Sequence, residues 1–214
     1  MEALNLSTAE IYIQATIAIF MIVNPVDPVK IVIFNQVVAR DGLDRRAAAM
    51  RIAFIVFVIL AIVAVIGREL LQLLGINLGA FGVVGGLVVA LMGFEMLYGG
   101  QSTRAQGTKE AEEEDPEEEG LIIPLAVPLM AGPGAITTIV TISTLTDDGT
   151  SVIAALVGVA VVSVLVFVGF AFLGDLISRL SASATAMLAR IGGILLATIG
   201  TQLLLGGIRT FYEF

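Results

Sequence analysis

Long apolar stretches separated by short polar ones dominate the chain. Charge-free runs lie between Glu69 and Glu95 and over residues 121–146, 149–174 and 191–208. A further run, 52–67, is bounded by Arg51 and Arg68 and is lengthened at its start by residues 47–50. A helix needs roughly 20 mostly apolar residues to cross the hydrocarbon core of a bilayer. The first run differs from the rest: residues 11–26 are apolar, then Asp27 and Lys30 interrupt before 31–39. The pattern predicts an all-α polytopic membrane protein with six spans, near residues 10–38, 47–67, 76–98, 121–145, 151–173 and 186–207.

Composition narrows this reading. Of 214 residues, 57% are hydrophobic and 14% charged, and the mean hydropathy is +1.01. A soluble domain carries about 25% charged residues, so that class is excluded. Cysteine is absent, which removes disulfides and thiolate metal sites. Histidine is absent too, and with it the commonest general base and metal ligand. No cofactor or metal site is expected. With no tryptophan, an interfacial aromatic belt falls to Tyr and Phe. At 22.4 kDa the chain has room for one membrane domain. No Lys or Arg precedes the first apolar run and no small-residue cleavage site closes it, so it reads as a retained span and not as a signal peptide.

Lys and Arg concentrate in cytoplasmic loops. Arg40, Arg45, Arg46 and Arg51 follow span 1, Arg104 and Lys109 follow span 3, and Arg179 and Arg190 follow span 5. The opposite side has only Arg68 and Arg209, so both termini are expected outside the cell. Residues 109–119 form an acidic block that supplies most of the net charge of −8. Like charges repel and stay solvated, and the block reads as a linker, 101–120, between two halves, 1–100 and 121–214. Lysine is scarce, two against nine arginines, a balance compatible with a high-salt organism.

The halves resemble each other. A shift of 107 lays residues 84–100 on 191–207 with seven of seventeen identical, Gly85-Gly86 falling on Gly192-Gly193 and Gly93 on Gly200. The same shift lays Gly67 on Gly174, and a shift of 108 lays Asn24-Pro25 on Gly132-Pro133. Three spans per half is an odd number, so the second copy must enter the bilayer upside down. Such inverted repeats are a common ground plan of secondary transporters. Small residues recur every fourth position in the third span of each copy (Gly82, Gly86 and Ala90; Ala189, Gly193 and Ala197), which reads as a helix-packing seam.

The first span of each copy carries a helix breaker: Asn24-Pro25-Val26-Asp27-Pro28 in one, and residues 128–138 around Gly132-Pro133-Gly134 in the other. Proline disrupts a helix interior but suits the first position of a new helix, after an Asn or Gly cap. Each span therefore reads as a helix that stops and restarts, with Asn24 and Gly132 as caps and Pro25 and Pro133 as first helical residues. A restarted helix directs free N–H groups and its positive dipole end into the break, where an anionic group fits. Thr137 and Thr138 follow the second break and could offer hydroxyls to a ligand. Intramembrane ionisable residues are expensive and are functional candidates by default. Asp27 reads as a receptor for a substrate ammonium or a coupling proton, or as half of a structural ion pair with Lys30. Glu95 reads as interfacial, and Gln14 as a weak pore-facing candidate.

These residues resemble the MarC family of six-span membrane proteins, which includes SnatA-type amino-acid transporters and is similar to the wider LysE-type superfamily. The resemblance rests above all on residues 124–138, Pro-Leu-Ala-Val-Pro-Leu-Met-Ala-Gly-Pro-Gly-Ala-Ile-Thr-Thr, with support from Asn24-Pro25, Arg45-Arg46 and the Gly-Gly core of 76–100. It implies transport of small neutral amino acids such as glycine and alanine. The chain departs from the family pattern after Pro25, where Asp27, Pro28 and Lys30 stand. The expected protein is a prokaryotic plasma-membrane transporter, working by alternating access. Its expected partners are a small solute, the lipid bilayer and H⁺ or Na⁺ as coupling ion, with no nucleic acid. The rivals are a cation or metabolite channel or exporter using Asp27, a membrane protein without transport activity, and an intramembrane enzyme pairing Asp27 with Glu95. The last lacks any recognisable catalytic motif.

Overall fold

The computed structural model describes residues 7–98, 130–144, 146 and 149–212; the acidic linker and most of the first part of span 121–145 lie outside them. Eight helices account for the described residues: α1 (Thr8–Val23), α2 (Pro28–Arg40), α3 (Arg45–Leu73), α4 (Leu78–Tyr98), α5 (Pro133–Ser143), α6 (Thr150–Phe172), α7 (Gly174–Ser178) and α8 (Ala182–Tyr212). Ser7 starts α1 with a capping box to Glu10, and Asp44 starts α3 by accepting the Ala47 N–H. Four helices (α3, α4, α6 and α8) are long and apolar enough to cross a membrane. Two of them outrun the apolar stretches that predicted them, α3 by carrying Arg68 and Glu69 within its last turns. Helix α1, at 16 residues, is about 24 Å long, short of a full crossing. Its span continues beyond a break as α2.

The helices are apolar nearly all round, as expected in lipid. Phe54, Val84, Val164 and Leu188 are exposed on the outside, where hydrocarbon replaces water as their surroundings. Inside, a core of Ile19, Val23, Phe34, Ile52, Val56, Ile139, Val159 and Phe170 joins α1, α2, α3, α5 and α6. Helix α6 runs alongside α1 and carries both arms of the broken span. Its Gly158 faces the Thr16 and Ile19 turn, its Gly169 faces the Pro25 carbonyl, and Phe170 meets Phe34 edge-on at 4.9 Å.

The closest helix pair is α4 with α8. Its seam consists of three reciprocal glycine pairs: Gly79 with Gly207, Gly86 with Gly200, and Gly93 with Gly193. A Cβ added to any of the six would stand 2.7–2.8 Å from the carbonyl oxygen of its partner. Residue numbers rise along one helix as they fall along the other, so the pair is antiparallel. The small-residue stripe noted in the sequence lies in this seam, but the tightest contacts recur every seven residues, not every four. Lipid offers no hydrophobic drive to bring helices together, so close backbone packing of this kind must supply the attraction.

The shift of 107 exchanges two of these pairs: Gly86 opposite Gly200 becomes Gly193 opposite Gly93, while Gly79 and Gly207 fall on Ala186 and Gly100. A pseudo-two-fold axis therefore passes between α4 and α8 beside Val89 and Leu196, themselves related by the same shift. Both are buried, and they pack in one small cluster with Met96. The Gly67–Gly174 equivalence also has a structural counterpart. Gly67 accommodates Val140 of α5, and Gly174 accommodates Asn35 of α2. In each copy, a glycine makes room for the arm that follows a break.

Candidate functional site

The first break differs from the expected stop and restart at Asn24-Pro25. Asn24 closes α1: it adopts the left-handed conformation (φ 44°, ψ 69°), and its N–H donates to the Phe20 carbonyl. Asn tolerates this region better than other residues with a side chain. It is the sole non-glycine residue with positive φ among the described residues. Pro25 sits in the linking turn, not at a first helical position. Helix α2 begins at Pro28, and the Ile31 N–H donates to the Asp27 carbonyl at 3.1 Å, which puts Asp27 at the cap. The physical reason is the second proline. A residue before proline is pushed out of the helical region, and Asn24 and Asp27 both precede one. The chain cannot resume a helix until Pro28, and Asp caps as well as Asn.

At the second break the restart lies where the sequence reading puts it, while residues 121–129 before it lie outside the described residues. Gly132 caps α5 in extended conformation (φ −68°, ψ 178°), and Pro133 opens the helix. The first N–H groups of a helix have no acceptor within it. Gly134 and Ala135, which carry two of them, are buried. Thr137 and Thr138 are buried as well, but their hydroxyls donate back to the Pro133 and Gly134 carbonyls at 2.9 Å. Their protons are committed to their own helix, so donation to a ligand is not what the geometry provides.

The two breaks converge. A narrow cleft is lined by Ile22, Val89, Met92, Met130, Gly132, Gly134, Ala135 and Leu196. It contains both residues beside the pseudo-two-fold axis and the start of α5. The last turn of α1 reaches it through Ile22, two residues before Asn24. Gly134 is so close to Val89 that an added Cβ would stand 2.5 Å from its Cγ2. Asn24 lies next to this cleft without lining it, its amide facing Gly192 of α8 across 3.6 Å measured to an added Cβ. The walls are apolar, and the polar groups at hand are the backbone ends of the interrupted helices.

Asp27 and Lys30 are 1% and 4% exposed, although both are ionisable. The Lys30 Nζ donates to the Val23 carbonyl at 2.7 Å, reaching back seven residues to the end of α1. Nothing in the spacing of the sequence announced this contact, because it depends on how the turn folds α2 against α1. The cleft walls Met92, Met130, Val89 and Leu196 carry no charge or helix breaker that marks them in the sequence, although Val89 and Leu196 are equivalent under the repeat. Glu95 is half-buried on α4, Gln14 is exposed on α1, and neither lines the cleft. A separate polar latch fastens the far end of α2. Asn35 donates to the Gly174 carbonyl at 3.2 Å and accepts from Arg45 at 3.0 Å. Among the described residues no group of three Asp or Glu could hold a metal ion.

A family model described as "MarC family integral membrane protein" matches residues 9–212. The chain is similar to a UPF0056 membrane protein of Pyrococcus abyssi, 32% identical over 90% of this chain and 92% of the relative. It is also similar to the UPF0056 membrane protein YhcE of Escherichia coli, 27% identical over 94% of each, and to YvbG of Bacillus subtilis, 26% identical over 94% and 95%. No solved structure matches.

Proposed function

We propose that this chain, which belongs to the MarC family of integral membrane proteins, is a secondary transporter of a small solute, with small neutral amino acids as its substrates. One observation carries the reading: the last turn of α1 and the start of α5, one from each half of the chain, meet at a single cleft beside a pseudo-two-fold axis. Interrupted helices at a repeat interface are where secondary transporters bind their cargo. A substrate carboxylate would be held by the free N–H groups of Gly134 and Ala135, at the positive end of α5. Its ammonium would face the carbonyl groups that precede Gly132, because Lys30 already holds the Val23 carbonyl at the end of α1. Ile22, Met92, Met130 and Val89 wall the cleft with apolar side chains, which disfavour a charged substrate side chain.

Two near-equivalent copies in opposite orientation supply two near-equivalent states, one open to each side of the membrane. The tight α4–α8 seam would serve as the fixed axis of that exchange, with the arms around the breaks as its moving parts. The arginine distribution favours an orientation with both termini outside the cell. What supports transport is the lining itself, apolar walls with backbone groups at helix ends.

Uptake of labelled glycine and alanine into proteoliposomes tests this directly. Saturable flux above empty vesicles, competed by unlabelled substrate, is the expected result. Non-saturating flux would indicate a channel. No flux of either solute, together with no response of the melting temperature to a panel of amino acids, would overturn the substrate assignment.

A further inference from the structure

We infer that the Lys30 ammonium is a tethered cation that occupies the carbonyl end of the first break permanently, and that the protein therefore needs no Na⁺ there. The argument starts from the backbone. In an unbroken helix the Val23 carbonyl would accept the N–H of residue 27. Here the Asp27 N–H donates instead to the Asn24 carbonyl at 3.3 Å, so the turn diverts that donor. Val23 is 0% exposed, and a buried carbonyl left without a donor is expensive. Lys30 fills the gap, with Nζ at 2.7 Å from the Val23 oxygen.

The charge matters as much as the hydrogen bond. The C-terminal end of α1 carries roughly half a negative charge, and the Asp27 carboxylate is buried three residues before Lys30. Carriers with interrupted helices place their coupling cation at such unwound carbonyls and half-helix C-termini. In this chain an ammonium reaches that place on its own side chain. A tethered charge satisfies the carbonyl and offsets the carboxylate, but it cannot be exchanged or carried across. Among the described residues the second copy has no lysine at the equivalent place. The position equivalent to Lys30 under the shift of 108 is Thr138, whose hydroxyl bonds back to Gly134. The device belongs to one break only.

The consequence for flux rests on the transport reading; the consequence for stability does not. The purified protein is melted in NaCl, KCl and choline chloride at equal ionic strength, as wild type, Lys30→Met and Lys30→Arg. Wild type and Lys30→Arg are expected to melt alike in all three salts. Lys30→Met is expected to melt roughly 10 °C lower in choline and to recover at least half of that loss in NaCl, because Na⁺ enters the vacated place. In proteoliposomes, wild-type flux is expected to be the same with Na⁺ or K⁺. Flux through Lys30→Met should fall about tenfold and be partly restored by Na⁺.

A wild-type melting temperature or flux that rises with Na⁺ overturns the inference, even if Lys30→Met fails to fold. So does a Lys30→Met protein as indifferent to Na⁺ as the wild type. If no solute moves in any form while the melting pattern holds, the transport reading fails and the tethered cation stands.

Discussion

Adding a single methyl group at Gly86 tests whether the α4–α8 seam is the tight, symmetric joint that its geometry describes. In Gly86→Ala the new Cβ would stand 2.7 Å from the Gly200 carbonyl oxygen. An ordinary carbon–oxygen contact is several tenths of an ångström longer, and the obstacle is backbone, which cannot rotate away as a side chain can. The helices must separate locally and loosen the neighbouring glycine pairs. Overpacking of this kind costs about 1–3 kcal/mol, offset by up to about 1 kcal/mol from the better helix propensity of alanine. Gly206→Ala is the control: it lies on the same α8, with nothing within 4 Å of an added Cβ, so it keeps only the propensity gain. The two variants should differ by about 2 kcal/mol, or roughly 4–8 °C in melting temperature for a chain of this size. Gly193→Ala, the repeat equivalent of Gly86, should cost as much as Gly86→Ala. Thermal melting in detergent measures all three. If Gly86→Ala melts no lower than Gly206→Ala, or if Gly193→Ala is silent while Gly86→Ala is not, the seam is neither tight nor symmetric.

Two other substitutions probe the breaks. Asn24→Gly should keep stability within a few tenths of a kcal/mol, because glycine adopts the left-handed conformation freely. Asn24→Val should cost about 1–2 kcal/mol, a gap that thermal melting of the pair checks. Thr138→Val replaces a hydroxyl that only bonds back to its own helix. It should leave amino-acid uptake within about twofold of wild type, and a tenfold loss would instead give that hydroxyl a part in binding.

Much of the architecture follows from residues near one another in the chain. The apolar runs specify membrane helices because a bilayer leaves no other way to satisfy the backbone of a spanning segment. Gly132-Pro133 marks the start of α5 because capping and the proline ring act locally. The repeat was legible because its glycines are retained where backbones meet, and Gly86 and Gly193 have no room for any other residue. At the first break, short-range reasoning favoured the wrong proline. Asn24-Pro25 and Asp27-Pro28 are both acceptable helix starts, and choosing between them depends on a turn in which Asn24 goes left-handed and Pro25 settles against Gly169 of a helix more than a hundred residues away.

The polarity pattern by itself determined an all-helical protein in the membrane and the start of α5 at Gly132-Pro133, since burial in lipid and the chemistry of proline act on each segment separately. Only the tertiary structure decided that Ile22 and Gly134 share one cleft, that the seam glycines pair every seventh residue, and that Lys30 closes the end of α1. Each of those depends on distances between segments, and the separation of two helices is decided by side chains on both at once.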